Sequence, residues 1–99
     1  MTIDQIREMA PELFKIAQKH GILRIQVFGS VARGDATSRS DVDFLVDLQE
    51  GASFFGVAGF SYEIEKLLGV PVDVIPSSVL SQLKDQTFVK TIQREAVPL

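Results

Sequence analysis

The sequence predicts an α/β (α+β) protein, one small sheet of three to four strands flanked by helices, in the order α-β-α-β-α-β-α. Three observations carry that prediction. Apolar residues recur at helical spacing in some segments and alternate at strand spacing in others, and the two kinds of segment take turns along the chain. Glycine or proline closes most of these segments. The 99 residues, 45% hydrophobic and 23% charged, suit a single folded domain over 1–99 and not a disordered chain.

The first segment has Ile3, Ile6, Ala10, Leu13, Phe14 and Ala17 on one helical face from Thr2 to about His20, with Thr2 and Gln5 spaced as a capping box. Pro11 removes a backbone donor in mid-run, which predicts a kink or two short helices, the second opened by Pro11; Gly21 then stands where a left-handed cap stops a helix. Leu23, Ile25 and Val27 alternate with Arg24 and Gln26, a strand that ends at Gly29. Ser30 to Gly34 has room for one or two helical turns, and Asp35 to Ser40 is a polar loop. Asp41 to Leu48 is the second strand, with Asp41, Asp43, Leu45 and Asp47 on one face and Val42, Phe44, Val46 and Leu48 on the other. Ser53 to Leu68 reads as a helix that turns Val57, Phe60, Ile64, Leu67 and Leu68 to the core despite Gly56 and Gly59, and Gly69 ends it. Val70 to Ile75 is a third strand broken by Pro76. Ser77 or Ser78 caps a last helical region with Val79, Leu80, Leu83, Phe88 and Ile92, and Ala96 to Leu99 can form a short terminal strand.

Composition excludes several chemistries. Without cysteine there are no disulfides, thiolate metal sites or Cys nucleophile. A net charge of −3 argues against broad nucleic-acid binding, although Arg24, Arg33 and Arg39 supply local positive charge ahead of the aspartates. The N-terminal MTIDQIREMAPELF lacks the basic-then-apolar pattern of a signal peptide, and the nearly uncharged run Gly51–Tyr62 is short of the about 20 apolar residues a membrane span needs. A cytoplasmic location with no membrane partner is expected.

The stretch GSVARGDATSRSDVD, residues 29–43, carries the chemistry. Asp41 and Asp43, two apart on a strand, leave the same face about 7 Å apart and repel unless a cation lies between them. Hard oxygen ligands favour Mg²⁺ or Mn²⁺, with nucleotide phosphate oxygens completing the coordination. Gly29 at a strand end lets backbone approach a ligand, and Ser30 at a helix start presents a hydroxyl and free amides to an anion. The spacing fits neither a Walker A loop nor a dinucleotide fingerprint. Asp73, between Val72 and Val74 in an apolar strand, is costly there unless paired or bound to metal. Three acids on neighbouring strands beside an anion-binding turn suit two-metal phosphoryl or nucleotidyl transfer.

Gly29-Ser30, ten residues, then Asp41-Val42-Asp43 resembles the signature of the DNA polymerase beta-type nucleotidyltransferase superfamily, and Ala32-Arg33-Gly34 with Ser40-Asp41 resembles its minimal, single-domain branch. The resemblance covers essentially the whole chain and implies a nucleotidyltransferase fold with a small mixed sheet. It implies that Asp41 and Asp43 bind both metals, that Asp73 completes the site and helps activate an acceptor hydroxyl, and that Gly29 and Ser30 hold the triphosphate. It further implies Arg33, Arg39 and Ser40 as nucleotide contacts. Members of this branch look like antitoxins paired with HEPN-domain ribonuclease toxins, which implies transfer of AMP from ATP to a toxin tyrosine, with the acceptor surface supplied by the partner. The competing readings are a nucleotidyltransferase with a small-molecule or RNA acceptor, and a non-catalytic module that neutralises a toxin by contact. His20 reads as a helix-end contact, Asp47 as a solvated strand residue, Asp35 as a group that orients Arg33 or Arg39, and Tyr62 as a partly buried helix residue. Phe54, Phe55 and Phe88 suit either a partner surface or the core.

Overall fold

The computed structural model describes residues 1–99. Helix α1 (Ile3–Glu8) starts from the expected capping box: Gln5 N–H donates to Thr2 Oγ1 at 3.2 Å and Thr2 N–H donates to Gln5 Oε1 at 2.9 Å. The helix breaks at Met9, and α2 (Ala10–Lys19) follows with Pro11 in its first turn, where a missing N–H breaks no hydrogen bond. Gly21, at φ +75°, carries the chain into β1 (Ile22–Phe28). A five-residue helix α3 (Gly29–Arg33) leads through the polar loop to β2 (Val42–Leu48), and α4 (Phe54–Leu68) starts on the Ser53 side chain and stops at left-handed Gly69.

Beyond α4 the chain departs from two expectations. Strand β3 (Val72–Pro76) begins two residues late and includes Pro76, which pairs with Val46 at the sheet edge, where a proline leaves no central ladder donor missing. Neither Ser77 nor Ser78 caps a helix. The last helical region is two helices, α5 (Ser77–Leu80) and α6 (Gln86–Glu95), and the side-chain cap is Asp85, which accepts from Phe88 N–H at 3.1 Å. The short strand β4 (Val97–Pro98) closes the chain against β1.

The four strands form a mixed sheet in the order β3-β2-β1-β4, with β2 and β3 parallel and the other pairs antiparallel. The parallel pair needs a crossover, and α4 supplies it. One face of the sheet packs Ile25, Val27, Val42, Phe44 and Val46 against α1, α2 and α4; Phe44 and Phe60 meet edge to face with centroids 6.4 Å apart. The opposite face buries a smaller cluster of Phe28, Leu45, Leu80, Val89 and Ile92. Leu45 therefore lies buried on the aspartate-bearing face, because α5 and α6 cover that part of it. Leu23 leaves the expected alternation: the β1–β2 register shifts between Ile22 and Arg24, and the leucine at the bulge is 68% exposed.

The glycines of α4 have a packing reason. A Cβ on Gly56 would strike the backbone carbonyl of His20, and one on Gly59 would lie 2.6 Å from the His20 ring. His20, the residue that caps α2, sits against these glycines and contacts Glu63, to which Lys19 also donates at 2.9 Å. The two basic neighbours hold the Glu63 carboxyl below its usual range, the His20 hydrogen bond first.

Candidate active site

The parallel pairing of β2 with β3 sets Asp43 directly beside Asp73, residues thirty apart in the chain. The antiparallel pairing of β1 with β2 sets Asp43 opposite Phe28, next to Gly29. Two registers thus bring the turn and two of the acids to one corner of the sheet. Gly29 has φ +75°, and a Cβ there would lie 3.1 Å from Asp43 Cγ and still closer to Oδ2. Only glycine lets the turn and the carboxylate sit this close. Helix α3 begins at Phe28–Gly29 with no side chain capping it, so its first N–H groups are open to another acceptor.

Asp43 is half-buried, whereas Asp41 and Asp73 are exposed. Asp41 lies one residue ahead of β2, not within it. Burial, then the charges of Asp73 and Asp41 and a hydrogen bond with Asp73, push the Asp43 carboxyl up to about 6; the Arg33 charge works in the opposite direction. Asp47 lies on the same face but apart from this group: Leu45 lies buried between them, and Asp47 stands 3.9 Å from Arg24.

Arg33, at the end of α3, donates from Nε to Asp35 at 3.2 Å and from Nη1 to Glu95 at 3.0 Å. The expected Asp35 contact is present, and Glu95 is the residue sequence reasoning missed. It lies 62 positions away in the last residue of α6, and nothing in the local pattern around it signals a link to the turn. Arg39 is exposed and makes no ion pair, with its backbone N–H donating to Thr37 Oγ1 at 3.3 Å. Ser40 Oγ accepts from Thr37 N–H at 2.9 Å, which makes it part of the 37–40 turn. Tyr62 is 61% exposed, with the Lys66 ammonium 4.3 Å over its ring, in contrast to the partly buried position expected. Phe54, Phe55 and Phe88 are likewise exposed and lie outside the core.

No three acidic or histidine side chains stand close enough together to grip one ion as they are placed. The donor set nonetheless fits a hard divalent cation. It consists of carboxylate oxygens alone, and the charges of Asp73 and Asp41, which add to burial in raising the Asp43 carboxyl, are ones a cation would offset. The widest surface hollow, about 540 Å³, is elsewhere: it is lined by residues such as Lys19, Gln49 and Ser53 at the other end of β1 and β2. Chemistry, not concavity, marks the site.

A mixed sheet with a glycine turn and strand-borne aspartates at one corner defines an α/β domain built for phosphoryl or nucleotidyl transfer. The chain belongs to the nucleotidyltransferase domain family, whose model matches residues 3–99, and it is a nucleotidyltransferase. It is 35% identical to the protein adenylyltransferase MntA of Thermococcus cleftensis over 98% of this chain and 95% of that protein. A Methanocaldococcus jannaschii protein named provisionally as a protein adenylyltransferase is 39% identical over 88% of this chain and 95% of its own. Among solved structures, one described provisionally as a minimal nucleotidyltransferase superposes with a TM-score of 0.80 at 35% identity, over 100% of this chain and 97% of that one. A toxin–antitoxin structure with AMP-PNP has a TM-score of 0.68 at 16% identity, over 89% of this chain and 69% of that one, a likeness of fold alone. No helix is long and apolar enough to cross a membrane.

Proposed function

We propose that this protein is an antitoxin-type protein adenylyltransferase, which moves AMP from ATP to a tyrosine hydroxyl of a cognate HEPN-domain toxin in the cytoplasm and thereby neutralises it. One observation carries the reading. Asp43 lies against Gly29 and pairs in register with Asp73 across β2 and β3, in a chain that aligns over nearly its whole length with the adenylyltransferase MntA. All 99 residues serve as one minimal catalytic domain, and the partner supplies the acceptor surface.

In the reaction the acceptor oxygen bonds to the α-phosphorus of ATP, the bond from that phosphorus to the bridging oxygen breaks, and pyrophosphate leaves with the electron pair. Asp73, exposed at the edge of the site, takes the hydroxyl proton. Gly29 and Ser30 hold the triphosphate on the uncapped start of α3, with Arg33, Arg39 and Ser40 as further contacts. Asp41, Asp43 and Asp73 are the residues that would hold two Mg²⁺ ions. Such ions, or Mn²⁺, offset the phosphate charge and polarise the α-phosphate when bound.

The test is intact-mass analysis of the cognate HEPN protein after incubation with this protein, ATP and Mg²⁺. A gain of one AMP is expected, and Asp41→Asn with Asp43→Asn should abolish it. No gain with the native chain, or an unchanged gain with the double variant, refutes the reading.

A further inference from the structure

We infer that Glu95 is a positioning residue for nucleotide binding: it anchors Arg33 at the end of α3 and so holds the Gly29–Ser30 turn in place. The inference rests on the reading of that turn as the triphosphate site. Arg33 ends a helix of five residues, too short to be stable by itself, whose first two residues are Gly29 and Ser30. Its guanidinium lies within electrostatic reach of Asp43, whose carboxylate draws it toward that corner of the sheet. Glu95 and Asp35 hold it instead, at 3.0 Å and 3.2 Å. Two of its five N–H donors are used in these contacts, which leaves three for a ligand.

Of the two acids, Glu95 is the firmer anchor. Its side chain is 19% exposed against 61% for Asp35, so water screens its pairing less. Its backbone is fixed on both sides as well: Val89 and Ile92 of the same helix are buried against Phe28 and Leu45, and two residues on Val97 pairs with Val27. Asp35 is carried by the polar loop that Arg33 itself leads into. Without the Glu95 charge, only exposed Asp35 restrains the guanidinium, which can then shift toward Asp43 and cancel charge that a metal–nucleotide complex needs. The core under α6 thus reaches the nucleotide turn through one ion pair.

Titration calorimetry with ATP and Mg²⁺ tests this without an acceptor. Glu95→Gln, nearly isosteric and charge-free, should raise the Kd of the native chain about 3- to 10-fold, in line with one weakened charge-assisted hydrogen bond. Glu95→Asp, which keeps the charge, should stay within about twofold of the native value. Because Glu95 acts through Arg33, the double variant Arg33→Ala with Glu95→Gln should bind no worse than Arg33→Ala alone. A native Kd for Glu95→Gln, equal losses for Gln and Asp, or additive losses in the double variant overturns the inference and leaves the reading of the turn intact. Failure of the native chain to bind ATP overturns both.

Discussion

Replacing Asp43 with Asn should make the protein more stable at neutral pH while removing its activity. In the folded chain the Asp43 carboxyl is raised from 3.8 to about 6, chiefly by burial and then by Asp73 and Asp41. At about 1.4 kcal/mol per unit, that shift sets a ceiling of about 3 kcal/mol on the cost of folding with this group charged. Asp43 is only half-buried, and solvent screening lowers the figure to about 1–2 kcal/mol. Because the folded-state value is the higher one, the folded chain binds the extra proton, and the native protein loses stability as pH rises from about 4 to about 6. Asn carries no charge and escapes that loss. In urea melts with a chelator at pH 8, Asp43→Asn should unfold about 1 M later than the native chain with the slope unchanged, a gap that closes near pH 4. ATP with Mg²⁺ should then raise the native midpoint and leave that of the variant where it was. A variant less stable than the native chain at pH 8, or a gap that does not change with pH, would refute the electrostatic account of the site.

Two further perturbations test the close approaches. Gly29→Ala places a methyl group on the Asp43 carboxylate at a positive φ, and should cost about 1–3 kcal/mol of stability and weaken ATP binding at least about tenfold by calorimetry. In α4, Gly56→Ala meets the fixed backbone carbonyl of His20 and should lose about 2 kcal/mol in urea melts. Gly59→Ala meets only the movable His20 ring and gains helix propensity, so it should remain within about 1 kcal/mol of native; the reverse ranking would undo this account of the glycines.

Local signals read well where local physics decides the structure. The Thr2–Gln5 box, the proline that opens α2 and the glycines that end α2 and α4 all act within one turn, so their spacing in the chain is their spacing in space. Where an element's environment depends on what covers it, the pattern misleads. Leu45 alternates with the aspartates as a solvent-side residue should, yet α5 and α6 bury it. Leu23 alternates as a core residue should, yet a bulge exposes it. Pro76 has the appearance of a strand breaker and is tolerated because β3 lies at the sheet edge.

The sequence by itself determined which candidate groups are present: a glycine turn suited to an anion, and acids two apart with a third in an apolar run, are legible from residue type and spacing alone. Only the tertiary structure decided which groups meet. Parallel pairing sets Asp73 beside Asp43, antiparallel pairing sets Gly29 against the same carboxylate, and a helix 62 residues downstream grips Arg33 through Glu95. The reason is that strand register and helix docking are set by burial summed over the whole chain, and no local window of sequence contains that sum.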